Sequence, residues 1–253
     1  MTDWIQSVSA PDAVARVVCL SRAGGSARDF DRWRAPMGED VELAAVQLPG
    51  RLDRFHEPPL SDLHEIAEEV AAALTTLPAR PYVLFGDCMG ALLAFETACA
   101  LRRRGAAPPD CLVVASYPAP DRLRTERPYG DGSADDLRQR LREVGGVPPA
   151  VLDEDELFEL MLPMLRADFA AFEGYRHRPT EPLSVDIHAL VGADDPYVTV
   201  TDLHGWQRHT TGEFTARALP GGHFFLHESD DAVSRVRSLA LAGARAARPG
   251  RPE

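Results

Sequence analysis

Cys88 stands at the centre of Gly86-Asp87-Cys88-Met89-Gly90, between the apolar run Tyr82-Val-Leu-Phe85 and an amphipathic segment that starts at Met89. Strand, Gly-x-Cys-x-Gly turn and helix together make a nucleophile elbow. Its central residue occupies a strained turn, and glycines two places to either side let the strand and helix backbones approach. A thiol there meets the positive end of a helix dipole, which favours thiolate. Without that flanking context the pentapeptide is a chance pattern and Cys88 a small buried hydrophobe, as Cys19, Cys99 and Cys111 are read. Such a nucleophile needs a base, and the base an orienting carboxylate, in the chain order nucleophile, acid, histidine. Asp195 follows the β-rich run Val185–Val191, at the carboxyl edge where α/β sites form, and His223 follows a further run, Phe214–Leu219, on a Gly221-Gly222 turn. Pro196 fixes a turn beside Asp195 and favours it over Asp194, which stands as the alternative or as a cap. His223 and His227 have helical metal-ligand spacing, but the paired glycines and Phe224-Phe225 argue for a turn, so no metal is expected. His56, His64, His177, His188, His204 and His209 are read mostly as ordinary surface groups.

These residues need a scaffold that brings strand ends together. Strands are expected at Val14–Leu20, Val41–Leu48, Tyr82–Phe85, Cys111–Ser116, Val185–Val191 and Phe214–Leu219. Leu63, Ile66, Ala67, Val70, Leu74 and Leu77 recur at helical spacing, with Asp62 and a Glu65 capping-box partner, or Ser61, at the start. Further helices are expected over Met89–Arg104 and Asp230–Leu241. Strands alternating with crossover helices predict an α/β fold, a mostly parallel sheet covered on both faces. From about Pro118 to Pro182 the alternation stops. Two helix-like stretches, Asp135–Val144 and Asp153–Phe172, flank a Gly145-Gly-Val-Pro-Pro149 hinge. An insertion after a sheet strand reads as a lid, or as a helical subdomain with a packing role only.

The chain has 253 residues, 45% of them hydrophobic, which suits one domain over residues 1–243 with its insertion, followed by a frayed tail at 244–253. The formal charge is −12 and every cationic residue other than histidine is Arg. Nucleic acid is thereby excluded as an expected partner, and so is chemistry that needs a lysine amine. No Cys-x-x-Cys pair occurs, no apolar run approaches the roughly 18 residues of a membrane span, and Met1-Thr-Asp-Trp-Ile-Gln6 does not begin a secretion signal. A reduced, cytoplasmic, soluble protein is the default expectation, a monomer with no membrane partner.

Taken together, Ala23-Gly-Gly-Ser-Ala27, Val46-Gln-Leu-Pro-Gly-Arg51, Glu57-Pro-Pro-Leu60, Gly90-Ala-Leu-Leu-Ala-Phe-Glu96, Leu162-Pro-Met-Leu-Arg-Ala-Asp-Phe169 and Gly221-Gly-His-Phe-Phe-Leu226 give the chain, from about Arg16 to Leu239, its resemblance to a family. It resembles the type II, stand-alone thioesterases of nonribosomal-peptide and polyketide assembly lines, which have the α/β-hydrolase fold and a helical lid. The resemblance implies a triad of Cys88, Asp195 and His223, and an oxyanion hole of the Ala23 and Met89 amides. It also implies a carrier-protein partner that presents the acyl group on phosphopantetheine, and no cofactor of the enzyme's own. Met161, Met164, Leu165 and Phe169 should line the acyl pocket, or else pack the lid. Arg51, Arg54 and Arg102–Arg104 are candidates to contact an acidic carrier.

The departures cluster at the reaction centre. The family's usual Gly-His-Ser-Met-Gly is here Gly86-Asp-Cys-Met-Gly90, and Pro-His-Ala-Gly-Gly is Ser21-Arg22-Ala-Gly-Gly25. Asp87 opposes thiolate formation unless compensated. It could pair with Arg22, either could contact a substrate amino group, or both could be inconsequential charges. Attack by a thiolate exchanges one thioester for another, so three readings stand: editing hydrolysis, transfer of the acyl group to an amine or second carrier thiol, and an inactive carrier-binding scaffold.

Overall fold

The computed structural model describes residues 4–7, 10–122, 132–227 and 229–247. Seven strands form one sheet in the order β1-β3-β2-β4-β5-β6-β7, with β1 (Ile5–Ser7), β2 (Ala15–Leu20), β3 (Val41–Val46), β4 (Tyr82–Asp87), β5 (Cys111–Ala115), β6 (Asp186–Gly192) and β7 (Phe214–Leu219). Strand β1 pairs antiparallel with β3 and all other neighbours are parallel. The six expected strands are present, while β1, at three residues, is too short to carry a readable alternation.

The central strands are buried on both faces, as their unbroken apolar runs require. Helices α2 (Leu63–Thr75) and α3 (Met89–Arg103) cover one face, and α1 (Arg34–Met37) and α8 (Asp230–Ala246) pack on the other. The Asp62 carboxylate caps α2, accepting the amides of His64 and Glu65 at 2.8 and 3.2 Å. Asp62 thus takes the place left open with Ser61, and Glu65 contributes its amide to the cap. Helix α8 runs through Ala246 with Ala244 buried, so the expected tail begins later than residue 244, and residues 248–253 lie outside the described part.

Within the insertion lie α4 (Ala134–Val144), α5 (Pro149–Asp153) and α6 (Asp155–Gly174), whereas residues 123–131 lie outside the described part. The three helices build an apolar core of their own from Leu137, Leu141, Leu152, Phe158, Met164 and Leu165, separate from the two cores that flank the sheet. A short helix, α7 (Val200–Leu203), follows β6.

Two expectations about charged groups are corrected by packing. His209 is buried, stacked against Phe95 and His177 and joined to Asp121, and His64 reaches the buried Glu96 carboxylate at 3.3 Å; neither is a plain surface group. Of the arginines proposed to face a carrier, Arg51 is buried on Asp168 and Arg54 is buried between Glu57 and the Trp4 ring. Arg102 binds the 180–182 segment, and Arg103 and Arg104 share Glu68.

Candidate active site

Strand β4 hands over to α3 at Cys88, whose φ of 52° and ψ of −113° are the strained geometry that an elbow demands. Both flanking glycines are required by close approach. A Cβ on Gly86 would lie 2.0 Å from the Gly90 carbonyl oxygen, and one on Gly90 would lie 2.1 Å from that of Leu20. The Cys88 amide is spent on the Ala115 carbonyl at 2.9 Å, which ties the turn to the end of β5.

Asp195 lies just past β6 with its side chain fully buried. One carboxylate oxygen accepts the Tyr197 and Val198 amides at 2.8 and 3.1 Å, and the other meets His223 Nδ1 at 2.8 Å. Asp194 is exposed, so burial and bonding single out Asp195 of the adjacent pair. With Nδ1 occupied, the ring's Nε2 is left for Cys88, which lines the same cleft as His223. Burial works against a charged imidazole, but the hydrogen bond that it donates to Asp195 and its interaction with Cys88 outweigh burial and raise the His223 pKa to about 10. The raised value makes the ring a stronger base beside the sulfur it would have to deprotonate.

Ser116 is a participant that the sequence did not disclose. It lies beyond β5 at a φ of 54°, and its hydroxyl donates to the His223 carbonyl at 2.9 Å, holding the histidine turn against the sheet. A serine in the left-handed region carries no sequence signature, and its partner is remote in the chain. Tyr197, half-exposed, sets its ring edge-on to the imidazole at 5.3 Å.

These groups open onto a cleft between the sheet and the lid. Ala23, Ser116 and Tyr197 border it near Cys88 and His223, and Leu141, Val147 and Phe169 form part of its lid wall. Of the four lid residues expected to line an acyl pocket, Phe169 borders this cleft. Met164 and Leu165 are buried in the lid core and Met161 packs against it, because α6 turns those positions toward α4 and α5. Met89 is the first residue of α3, where a backbone N–H has no carbonyl one turn before it to bond.

The suggested Asp87–Arg22 pair is not formed. Arg22 donates Nη1 to Asp29 at 2.5 Å and Nη2 to the Gly146 carbonyl at 2.6 Å, and its guanidinium lies 5.4 Å from the centre of the Phe224 ring. Asp87 is 4% exposed, is absent from the cleft lining, and leaves Oδ1 without a protein partner. It is the last residue of β4 and is shut away from solvent. Burial pushes its carboxyl up to about 6, against the opposing pull of Arg22 and His223. The other three cysteines are buried, and burial drives the thiols of Cys99 and Cys111 up to about 12 and that of Cys19 well above its usual value, so none shares the half-buried setting of Cys88.

Comparison with known proteins fits this arrangement. The thioesterase domain family matches residues 15–240. The fold superposes on the RedJ thioesterase of the prodiginine pathway of Streptomyces coelicolor with a TM-score of 0.82 and 41% identity, over 93% of this chain and 91% of that one. The type II thioesterase BorB of the borrelidin cluster gives a TM-score of 0.85 at 37% identity, over 94% and 97% of the two chains. Thioesterase PikA5 of Streptomyces venezuelae is 38% identical over 232 residues, 89% of this chain and 80% of that protein.

Proposed function

Since the chain belongs to the thioesterase family and is a hydrolase of thioesters with the α/β-hydrolase fold, we propose that it removes acyl or aminoacyl groups from phosphopantetheine on an acyl or peptidyl carrier protein through a Cys88 acyl-enzyme. Its place, on this reading, is a nonribosomal-peptide or polyketide assembly line, as the names of its relatives suggest. The observation that carries the mechanism is the chain of contacts from Asp195 through His223 to Cys88 at a positive-φ elbow facing an apolar cleft.

His223, oriented by Asp195, takes the Cys88 thiol proton as the reaction begins. The sulfur attacks the thioester carbonyl, and the tetrahedral oxyanion is held by the amides of Ala23 and Met89. Collapse expels the pantetheine sulfur, which takes the proton from His223. Acylation thereby converts the sulfur into a thioester and leaves His223 as the free base that hydrolysis requires. His223 then accepts a proton from water as the hydroxyl adds to the acyl carbon. Collapse of this second intermediate releases the acid, and the departing Cys88 sulfur takes the proton back from His223. Asp195 fixes the ring and stabilises its charge throughout.

The test is to incubate acyl-pantetheinyl carrier protein with the enzyme and follow intact mass. A transient acyl adduct on Cys88 followed by free acid supports the reading. The acyl group appearing on an added amine or second carrier thiol would reassign the enzyme to transfer, and no adduct with any acyl chain would leave a carrier-binding scaffold.

A further inference from the structure

The loop that carries Ala23 is held by the lid. Asp168 of α6 is completely buried and accepts the Gly24 amide at 2.7 Å with the oxygen that also takes Arg51 Nη1 at 2.9 Å, while its other oxygen takes Nη2 at 2.6 Å. Arg51, also buried, donates Nη1 to the Gly25 carbonyl at 2.9 Å. A single bidentate pair thus grips the loop at Gly24 N–H and at Gly25 C=O. The same stretch is a tight turn in which the Arg22 carbonyl accepts the Gly25 amide at 3.0 Å. In a trans peptide the C=O and N–H point in opposite directions, so fixing the Arg22 carbonyl into the turn fixes the direction of the Ala23 N–H on its far side. Packing reinforces the grip, since a Cβ on Gly24 would lie 2.9 Å from Leu165 Cδ2 on α6. The second tie, from Arg22 to the Gly146 carbonyl, joins the loop to the turn between α4 and α5.

We propose that the lid is a working part of the oxyanion hole: Asp168, with Arg51, is a positioning residue that aims the Ala23 amide, so that lid seating and transition-state stabilisation are one event. The inference rests on the thioesterase reading of Cys88. Removal of a single oxyanion donor costs about 10²- to 10³-fold in turnover, which sets the scale of the effect. It also gives the lid a role besides walling the acyl chain: a substrate that fails to seat α6 meets a cleft whose nucleophile is intact but whose oxyanion site is misaligned.

Two reactions of the same sulfur separate positioning from general damage. Acylation by an acyl-pantetheine thioester develops an oxyanion, whereas alkylation by iodoacetamide does not. Asp168→Asn and Asp168→Glu should each lower the acylation rate, the first by about 10²-fold, while the alkylation rate of Cys88 stays within about threefold of the parent, as expected if the thiol is untouched. The glutamate variant keeps the charge opposite Arg51 and guards against simple unfolding. Parallel loss of both rates in both variants, or acylation unchanged in Asp168→Asn, would overturn the proposal. A parent enzyme that alkylates but never acylates would instead overturn the thioester reading on which it stands.

Discussion

On the sheet side of the cleft, Cys88, Asp195 and His223 are fixed by backbone: a positive φ at Cys88, two glycines that admit no Cβ, two amides on Asp195, and Ser116 on the histidine carbonyl. On the lid side the ties are made by charged side chains, Arg51 with Asp168 and Arg22 with the Gly146 carbonyl, laid over a small apolar core. Backbone constraints of the first kind are set when the sheet forms and leave little freedom. Ionic and packing contacts of the second kind form only when two separately built units meet, which suits a part that must admit a carrier-bound chain. The chemistry is placed on the rigid side and the selection on the adjustable one.

The contrast can be broken most forcefully at the sulfur. Cys88→Ala should abolish turnover, by about 10⁴-fold or more, with no change in thermal unfolding beyond a degree or two, because on the proposed mechanism the residue supplies chemistry rather than packing. Asp195→Asn should cost about 10³-fold in kcat, and the same substitution should bring the His223 titration, read by NMR, down from about 10 as one of its raising hydrogen bonds is weakened. A rim that tolerated this change would contradict its description as the rigid half.

Asp87 gives a smaller and pH-dependent effect. Its carboxyl is held at about 6 in the folded chain against an ordinary 3.8, so the folded state binds protons more tightly there and stability falls as pH rises through that window. Above pH 6 the full cost of the buried charge applies. Asp87→Asn should therefore stabilise the protein by on the order of 2 kcal/mol at pH 8, and by much less at pH 4, in urea unfolding. The least change is expected between two lid residues that a helical pattern does not tell apart. Phe169→Ala should raise KM for long acyl chains by about tenfold, since Phe169 faces the cleft, whereas Met164→Ala should lower the unfolding temperature and leave KM within about twofold.

The elbow and the alternating elements were legible because they are local: Gly86, Cys88 and Gly90 sit within five positions, and each central strand is an apolar run with a crossover helix after it. The order Cys88, Asp195, His223 could be read for the same reason, each residue following its own strand. What could not be read depends on which distant groups meet. Arg22 chose Asp29 and Gly146 over Asp87, Arg51 turned inward to Asp168, Met164 and Leu165 turned toward the lid core, and Ser116 adopted a conformation its side chain does not announce. Spacing along a helix says which residues share a face, not what that face will cover.

Strand β7 ends the sheet, so one side of its ladder faces water, and Arg217 stands exposed along it. A second polypeptide extending the sheet there would have to bury that guanidinium, a deterrent to edge-to-edge aggregation. Because the turn bearing His223 follows directly on this strand, the same charge also keeps an added strand away from the residue to which the proposed mechanism gives proton transfer.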